Sequence, residues 1–295
     1  MTKDILMSYE NAVYTLPERI TTSSSGHECL WQLCHAASQT YGKPFLVNAA
    51  NLKFLDGNMC AIILGINHKL HIENGSCLKF QNLNIEIADL LNRNGLLAAL
   101  DCSVTELSDY RNSTVAVKLF NPKTEFDSFG NYICSDLLKH RGLPTMIDAE
   151  IKFIELGFKE TFSNVLEHAN TDLNITVCGQ YFPKLETLRF TLVDLGEGFL
   201  KPIYNFTKDD VEPITKPFEA ICWGLIGNST GYKPNGAMGG TGLKRLVSKC
   251  QKDSKFSLGI VTDDCIFVAK NGEYRGKMLG TKTIGTTFHF IVSRI

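Results

Sequence analysis

An acid, an amide and an imidazole recur at four-residue intervals in the segment FKETFSNVLEHA, residues 158–169. They are Glu160, Asn164 and His168. On a helix with about 3.6 residues per turn, four-residue steps place side chains along one stripe. The large apolar residues mark another side, which can face a core: Phe158, Phe162, Val165 and Leu166. Such a stripe is either an ordinary solvent-facing surface or part of a site, and this segment alone leaves both interpretations open.

Three further segments combine glycine with polar residues. Val193-Asp194-Leu195-Gly196-Glu197-Gly198 ends a predicted strand, where a buried carboxylate can accept a hydrogen bond from a ligand amine. Gly239-Gly240-Thr241-Gly242-Leu243 begins a predicted helix, whose free N–H groups and dipole favour an anion. Gly285-Thr286-Thr287-Phe288 offers hydroxyl groups on the last predicted strand. Each segment is a weak signal alone, and the sequence has no Walker A pattern, which argues against a P-loop enzyme.

In this order and at these separations, the segments resemble the superfamily of gyrase, histidine-kinase and MutL-type ATPases, which has the Bergerat ATP-binding fold. Glu160-x3-Asn164-x3-His168 resembles the N box. Asp194-x-Gly196-x-Gly198 is similar to the first glycine box, and residues 239–243 are similar to the second. Gly285-Thr286-Thr287 lies where this superfamily has its terminal threonine strand. The resemblance covers residues 114–295.

The resemblance implies a site for ATP and Mg²⁺. Asn164 would bind the Mg²⁺, a role suited to a hard oxygen ligand. Glu160 would act as general base on a water molecule, or on a hydroxyl group if the protein is a kinase. Asp194 would read the adenine amino group, helped by Thr286 or Thr287. The other positions complete the site: Gly196 and Gly198 beside the base, His168 towards the phosphates, and Gly239, Gly240, Thr241, Gly242 and Leu243 as the phosphate cradle. Lys244 and Arg245 either contact phosphate or belong to a solvated first helical turn.

The first third of the chain carries a second resemblance. LVNAANLKFLDGNMCAIILG, residues 46–65, resembles the strand-turn-helix of STAS domains, in which a partner ATPase phosphorylates a hydroxyl residue after the aspartate. Here Asp56 is followed by Gly57 and Asn58, so that acceptor is missing. Alternating strand and helix patterns predict a small α/β domain over residues 1–105, which the resemblance implies is STAS-like, with a turn-rich linker at 101–113. Residues 114–295 are predicted to form an α+β domain, with helices on one face of a mixed sheet.

The composition and the absence of targeting patterns limit the partners and the cellular location that can be expected. The chain has 295 residues, of which 44% are hydrophobic and 21% charged, with a formal net charge of −1. This balance gives no electrostatic reason to expect nucleic acid or an anionic membrane as a partner. The first residues lack a signal-peptide pattern, and the longest apolar run, residues 59–66, is far shorter than the roughly 20 residues of a membrane span. The ten cysteines include no C-x-x-C pair, so reduced cysteines and a cytoplasmic location are expected.

These patterns together predict a cytoplasmic Mg-ATP-binding regulatory protein, either an ATPase or an anti-sigma-type serine/threonine kinase. We expect a protein partner, and a homodimer is left open. No helix carrying a phosphoacceptor histidine accompanies the site, so a complete histidine kinase is not expected. The alternative is a nucleotide-gated interaction switch with little or no turnover. Residues 199–238, a long segment rich in glycine and proline, are predicted to be a lid over the site.

Overall fold

The N-terminal third of the chain forms a small parallel sheet with helices packed against it. The computed structural model describes residues 13–105, 107–230 and 241–294. We call residues 13–105 the N-terminal unit and residues 114–294 the C-terminal unit. The strands of the parallel sheet lie in the order β1 (Val13–Thr15), β3 (Pro44–Asn48) and β5 (Cys77–Gln81), and β2 (Arg19–Ile20) pairs separately with β4 (Phe54–Leu55). The helices are α1 (Ser24–Ala37), α2 (Cys60–Asn74), α3 (Ile85–Arg93) and α4 (Leu96–Leu100), and a 3₁₀ turn at Gly57–Met59 precedes α2. The predicted alternation of strands and helices is confirmed, although it did not include the short β1, β2, β4 and α4.

Local chemistry fixes the ends of the N-terminal helices. Ser23 accepts a hydrogen bond from the N–H of Gly26 and caps the start of α1. Asn84 caps α3 in the same way. Helix α2 ends at Gly75, whose φ of +59° is a left-handed conformation that favours glycine.

The C-terminal unit is built on a seven-stranded sheet in the order β11-β10-β9-β12-β8-β7-β6. Its strands are β6 (Thr114–Phe120), β7 (Ile175–Phe182), β8 (Thr187–Asp194), β9 (Phe256–Thr262), β10 (Cys265–Lys270), β11 (Glu273–Met278) and β12 (Thr286–Ser293). The expectation of a mixed sheet is wrong, because every neighbouring pair among the described strands is antiparallel. Strands β8 and β9 do run in the same direction, but β12 lies between them and pairs with both.

Helices cover one face of this sheet, as expected. They are α5 (Phe126–Tyr132), α6 (Asp148–His168), α7 (Leu200–Thr207), α8 (Pro217–Leu225) and α9 (Thr241–Lys252), and a π-helical turn at Ile133–Leu137 follows α5. Phe158 of α6 packs edge-on against both Phe190 and Phe290, at 5.3 Å between ring centroids in each case. The predicted apolar side of α6 therefore faces the sheet at Phe158, and Phe162 and Val165 are also buried. The prediction is wrong for Leu166, which is 51% exposed. The predicted lid segment contains α7 and α8, and its last residues, 231–238, lie outside the described part of the chain.

The N-terminal unit covers the opposite face of the same sheet, which the sequence did not predict. Helix α2 packs on β7 and β8. Val193 and Leu195 of the β8 region belong to the same buried cluster as the core of the N-terminal unit. The approach is close, since a Cβ added to Gly65 of α2 would lie 3.1 Å from Thr176 Oγ1. Strands β7 and β8 are consequently buried on both faces.

A buried carboxylate anchors this interface. Asp56 is 1% exposed and accepts hydrogen bonds from the backbone N–H of Thr22 at 2.7 Å and from its hydroxyl group at 2.9 Å. It also forms an ion pair with Arg189 of β8. A charge buried to this extent requires such partners, because desolvation disfavours an unpaired carboxylate.

The turn that follows Asp56 is buried at the same interface. The N–H of Gly57 donates to Gln180 Oε1 on β7, and Asn58 Nδ2 donates to Thr191 Oγ1 on β8 at 2.8 Å. This is the place where the STAS resemblance would put a phosphoacceptor. In this chain the turn is occupied by contacts with the sheet.

Within the described residues, no helix is long and apolar enough to cross a membrane.

We expect Arg189→Met to lower the free energy of unfolding by about 3 kcal/mol, because it leaves the buried Asp56 carboxylate without its cation. The control is Arg275→Met. Arg275 pairs with Glu273 at 2.6 Å, but the two side chains are 81% and 64% exposed, so a change below about 0.5 kcal/mol is expected. Urea denaturation of the three proteins measures both effects. Equal losses for the two variants would show that Asp56 does not depend on Arg189.

Candidate functional site

Residues from four separate segments of the sequence meet at one pocket beside the ends of β8 and β12. Six predicted site residues line it: Asn164, His168, Asp194, Gly198, Leu243 and Thr286. The empty space in the pocket, counted together with the solvent in its open mouth, is about 730 Å³. The pocket therefore brings together residues that are up to about 125 positions apart in the sequence, from Thr161 to Phe288.

Asp194 supplies a buried acceptor at the end of β8. It is 4% exposed, and its Oδ1 accepts the N–H of Gly196 at 3.0 Å. Burial raises the pKa of Asp194 to about 6, although hydrogen bonds from Gly196 and Thr286 oppose this shift. Such a carboxyl group is ionised at neutral pH and can accept a hydrogen bond from a ligand amine.

The two glycines after Asp194 have different roles in the structure. A Cβ added to Gly196 would lie 2.1 Å from the carbonyl oxygen of Ala169, so only glycine allows this turn to close onto the end of α6. Gly198 has a φ of +79° and lines the pocket. Gly196 is not among the pocket-lining residues of the described chain, and its proposed place beside a ligand stays a prediction.

A half-buried carboxylate, Asp263, supports the site from the turn after β9. Asp263 Oδ2 accepts the N–H groups of Phe199 at 2.9 Å and Leu200 at 2.8 Å, where α7 begins. Its neighbour Thr262 donates to the carbonyl of Gly285 at 3.0 Å, just before β12. This turn thus fixes the starts of both α7 and β12. Sequence reasoning missed it, because an aspartate after a strand is usually read as an ordinary turn residue.

Strand alternation separates the two predicted threonines. Thr286 lies opposite Asp194 in the register of β12 and β8, and it lines the pocket. Thr287 points to the other face, as successive side chains on a strand do, and shares that face with His289. Its buried Oγ1 has no hydrogen-bond partner among the described residues. Of the two threonines, Thr286 is the one placed to act with Asp194.

The stripe along α6 is part of the site over its second half. Asn164 and His168 line the pocket, so the solvent-facing interpretation does not hold for them. His168 Nδ1 lies 3.3 Å from the hydroxyl group of Thr230. Burial lowers the pKa of His168, which favours the neutral imidazole at physiological pH.

Glu160, one turn earlier on α6, is not among the residues that line the pocket in the described chain. Its Oε2 lies 3.5 Å from Arg245 Nε on α9. The two helices are in close contact here, since a Cβ added to Gly242 would lie 2.2 Å from Glu160 Cβ. Arg245 therefore contacts the predicted general base.

The predicted phosphate cradle is only partly described. Thr241 is the first residue of α9, Gly242 packs on Glu160, and Leu243 lines the pocket. Gly239 and Gly240 lie outside the described residues. Their contact with phosphate stays a prediction.

Sequence reasoning named the lid segment but not its individual contacts. Among the pocket-lining residues from this segment are Phe199, Ile203, Trp223 and Asn228. Thr161 and Val165 of α6 also line the pocket, each next to a predicted position on the same side of the helix. Helical geometry could have identified these last two, because each lies three residues before a predicted site residue, Asn164 or His168, and residues three or four positions apart share a face.

The donor atoms of the site suit Mg²⁺ bound together with a ligand better than a metal bound by protein alone. No group of three or more His, Cys, Asp or Glu residues in the described ranges could hold a metal ion. Asn164 offers an amide oxygen at the pocket, and Mg²⁺ commonly takes its other ligands from phosphate oxygens and water.

Comparisons with protein-family models, with curated proteins and with solved structures find no match for this chain. The functional interpretation rests on the geometry of the pocket.

We expect the stability of the wild type, measured relative to Asp194→Asn, to fall as the pH rises from about 4 to about 7. Folding raises the pKa of this carboxyl group from its ordinary 3.8 to about 6, so the native state holds the proton more tightly than the unfolded chain. The decrease should be on the order of 3 kcal/mol. Urea denaturation of both proteins across this pH range gives the difference, and a difference that does not change with pH would contradict the burial of an ionisable group here.

Proposed function

We propose that this chain binds Mg-ATP in the pocket at the ends of β8 and β12, and that it acts as a regulatory ATPase or protein kinase of the gyrase, histidine-kinase and MutL-type superfamily. The observation that carries the proposal is the convergence of Asn164, Asp194, Leu243 and Thr286 on one pocket. Each of these residues comes from one of the four segments that resemble the superfamily's ATP-binding motifs. Their meeting in one pocket supports the proposal.

The inner part of the pocket is suited to an adenine ring. Asp194 would accept the 6-amino group, and the hydroxyl group of Thr286 would complete the polar edge. Val165, Ile203 and Phe288 line the same pocket and can cover the apolar faces of a base. The Asp194 carboxylate, as an acceptor among apolar side chains, favours a ligand that presents an amine to it.

The outer part of the pocket would hold the phosphates. Asn164 would bind Mg²⁺, and the start of α9, where N–H groups and the helix dipole face outwards, would bind phosphate oxygens. Mg-ATP, when bound, supplies a transferable phosphoryl group. His168 is neutral at physiological pH and can donate or accept a hydrogen bond near this end of the pocket.

The role of Glu160 distinguishes a protein that turns ATP over from one that only binds it. As general base it would take the proton of an attacking water or hydroxyl group. Its contact with Arg245 and its place outside the pocket lining favour the second candidate function, a nucleotide-gated interaction switch. Turnover requires Glu160 to be directed towards the phosphates once nucleotide is bound.

A separate protein partner is part of the proposal. The turn of the STAS-like unit that would carry a phosphoacceptor has no hydroxyl residue at 57 or 58 and is buried against the sheet. That face of the sheet is also the one opposite to the pocket. Phosphoryl transfer to this turn within one chain is therefore not supported, and a kinase activity would need an acceptor elsewhere.

Adenine recognition can be tested with two adjacent threonines as a matched pair. We expect Thr286→Val to weaken ATP binding about tenfold, in line with the roughly 1–1.5 kcal/mol of one hydrogen bond. Thr287→Val should leave binding unchanged, because that side chain is on the other face. Asp194→Asn should weaken binding at least as strongly as Thr286→Val, since it replaces the acceptor by a group that also carries a donor. Calorimetric titration with ATP and Mg²⁺ measures all four proteins. Absence of ATP binding by the wild type would overturn the proposed function, and equal effects of the two threonine variants would remove Thr286 from the site.

Catalysis can be separated from binding at Glu160. We expect Glu160→Gln to retain Mg-ATP affinity but to lose phosphate release or transfer by roughly 10²-fold or more. Glu150→Gln is the control and should keep wild-type turnover, because Glu150 lies on the same helix and also pairs with a cation of α9, Lys249, but is outside the pocket lining of the described chain. Release and self-labelling with γ-labelled ATP provide the measurement. If the wild type binds ATP but shows no turnover with or without candidate partners, the switch is the correct interpretation.

A further inference from the structure

Two histidines from opposite ends of the chain meet in the interior. His27 of α1 and His289 of β12 are 0% and 2% exposed, and their Nε2 atoms lie 2.8 Å apart. Burial lowers the pKa of His27 to about 3 and that of His289 well below its ordinary value. Both rings are therefore neutral at physiological pH, and one ring donates its N–H to the bare nitrogen of the other.

The histidine pair is part of a longer buried chain of hydrogen bonds. His289 Nδ1 lies 2.8 Å from the hydroxyl group of Thr191 on β8. Thr191 Oγ1 also accepts from Asn58 Nδ2 at 2.8 Å. The chain thus starts in α1, crosses β12 and β8, and returns to the N-terminal unit just before α2. We call these four residues the interface chain.

The interface chain holds the two strands that carry the proposed adenine contacts. In the register of the sheet, His289 lies opposite Thr191, and three residues away Thr286 lies opposite Asp194. An odd spacing on a strand puts the two pairs on opposite faces. The interface chain therefore contacts β8 and β12 on the face opposite to the one that presents Asp194 and Thr286 to the pocket.

Helix α1 also contacts the loop that leads into β12. Glu28 Oε1 accepts the N–H of Gly280 at 2.8 Å, and His35 Nε2 lies 2.7 Å from the carbonyl oxygen of Lys282. The N-terminal unit therefore contacts the loop before Thr286 as well as β12, the strand that begins at Thr286.

We propose that His27 and Asn58 are positioning residues of the nucleotide site, and that through β8 and β12 they set the preference for a purine nucleotide carrying a 6-amino group. This inference rests on the proposed function. Backbone pairing sets the register of β12 on β8, and the interface chain adds side-chain contacts between these strands and the N-terminal unit on the face opposite to Thr286 and Asp194. The interface chain ends at His27, whose Nδ1 has no hydrogen-bond partner among the described residues. Removal of a member leaves a neighbouring buried polar group without its partner.

The test compares ATP with inosine triphosphate, which has the same phosphates but an oxygen in place of the amine. The wild type should prefer ATP. His27→Ala, or Asn58→Ala at the other end of the interface chain, should reduce this preference by about fivefold or more, a typical size for coupling between sites. His27→Gln, whose amide can donate or accept in place of the imidazole, should restore most of it. Calorimetry with both nucleotides gives the ratio of affinities for each protein.

The matched control is His68→Ala. His68 Nε2 accepts the backbone N–H of Asn174 at 3.2 Å, a contact between the same two units but outside β8 and β12. It should leave the preference for ATP unchanged. Urea denaturation of every variant separates lost stability from altered binding.

The outcomes distinguish the two proposals. If the wild type binds neither nucleotide, the proposed function is overturned and the positioning role falls with it. If the wild type prefers ATP and the folded His27→Ala and Asn58→Ala variants keep the full preference, the interface chain is structural only. Restoration by His27→Gln together with an unaffected His68→Ala supports positioning.

Discussion

The burial of the central strands on both faces is the constraint on which the rest of this structure depends. Strands β8 and β12 have helices of the C-terminal unit on one side and the N-terminal unit on the other. Each residue along them therefore belongs either to the pocket side or to the interface side, in strict alternation. Asp194 and Thr286 are pocket residues for this reason, whereas Val193 and Thr287 are not. Among the polar residues on the interface side, Thr191 and His289 have partners in each other and in the N-terminal unit. Thr287 Oγ1, on the same side, has no hydrogen-bond partner among the described residues.

Two buried carboxylates, one on each face of the sheet, have different electrostatic surroundings. Asp56, on the interface side, is paired with Arg189 and accepts two hydrogen bonds from Thr22. Asp194, on the pocket side, has hydrogen bonds from Gly196 and Thr286 but no ion pair among the described residues, and its pKa is raised. Asp56 is stabilised by its surroundings and has a structural role. The hydrogen bonds of Asp194 compensate for its burial only in part, and a hydrogen-bond donor on a ligand would stabilise its charged form. Ionisable groups with shifted pKa values are common in binding sites.

Local patterns in the sequence predicted those parts of the fold that depend on local physics. The polar stripe of α6 follows from helical geometry, and the positions of Asn164 and His168 at the pocket agree with it. The glycines after Asp194 indicated a turn, and Gly196 is indeed required by its contact with Ala169. The places of β8 and β12 as strands were also readable from alternating apolar residues.

The remaining features depend on contacts between distant parts of the chain, which carry no local signal. The insertion of β12 between β8 and β9, which makes the sheet antiparallel, is one example. The docking of α2 on the sheet is another, since its hydrophobic residues alone show only that the helix is buried. In the sequence Asp263 looks like an ordinary turn residue. Only the folded structure shows that it lies beside the start of α7. The pairing of Glu160 with Arg245 likewise required the packing of α6 on α9.

The position of β12 has a consequence for the order in which this molecule can be assembled. Before residues 286–293 have been synthesised, β6, β7 and β8 can pair among themselves, and so can β9, β10 and β11, but no strand joins the two groups. The facing edges of β8 and β9 then stay open, and open edges invite pairing with other chains. Joining them requires a strand whose partners on β8 are about a hundred residues earlier, a slow kind of contact to form. Newly made chains that lack this strand are therefore the form most exposed to aggregation, and a shortened protein ending before it would lose both the sheet and the pocket.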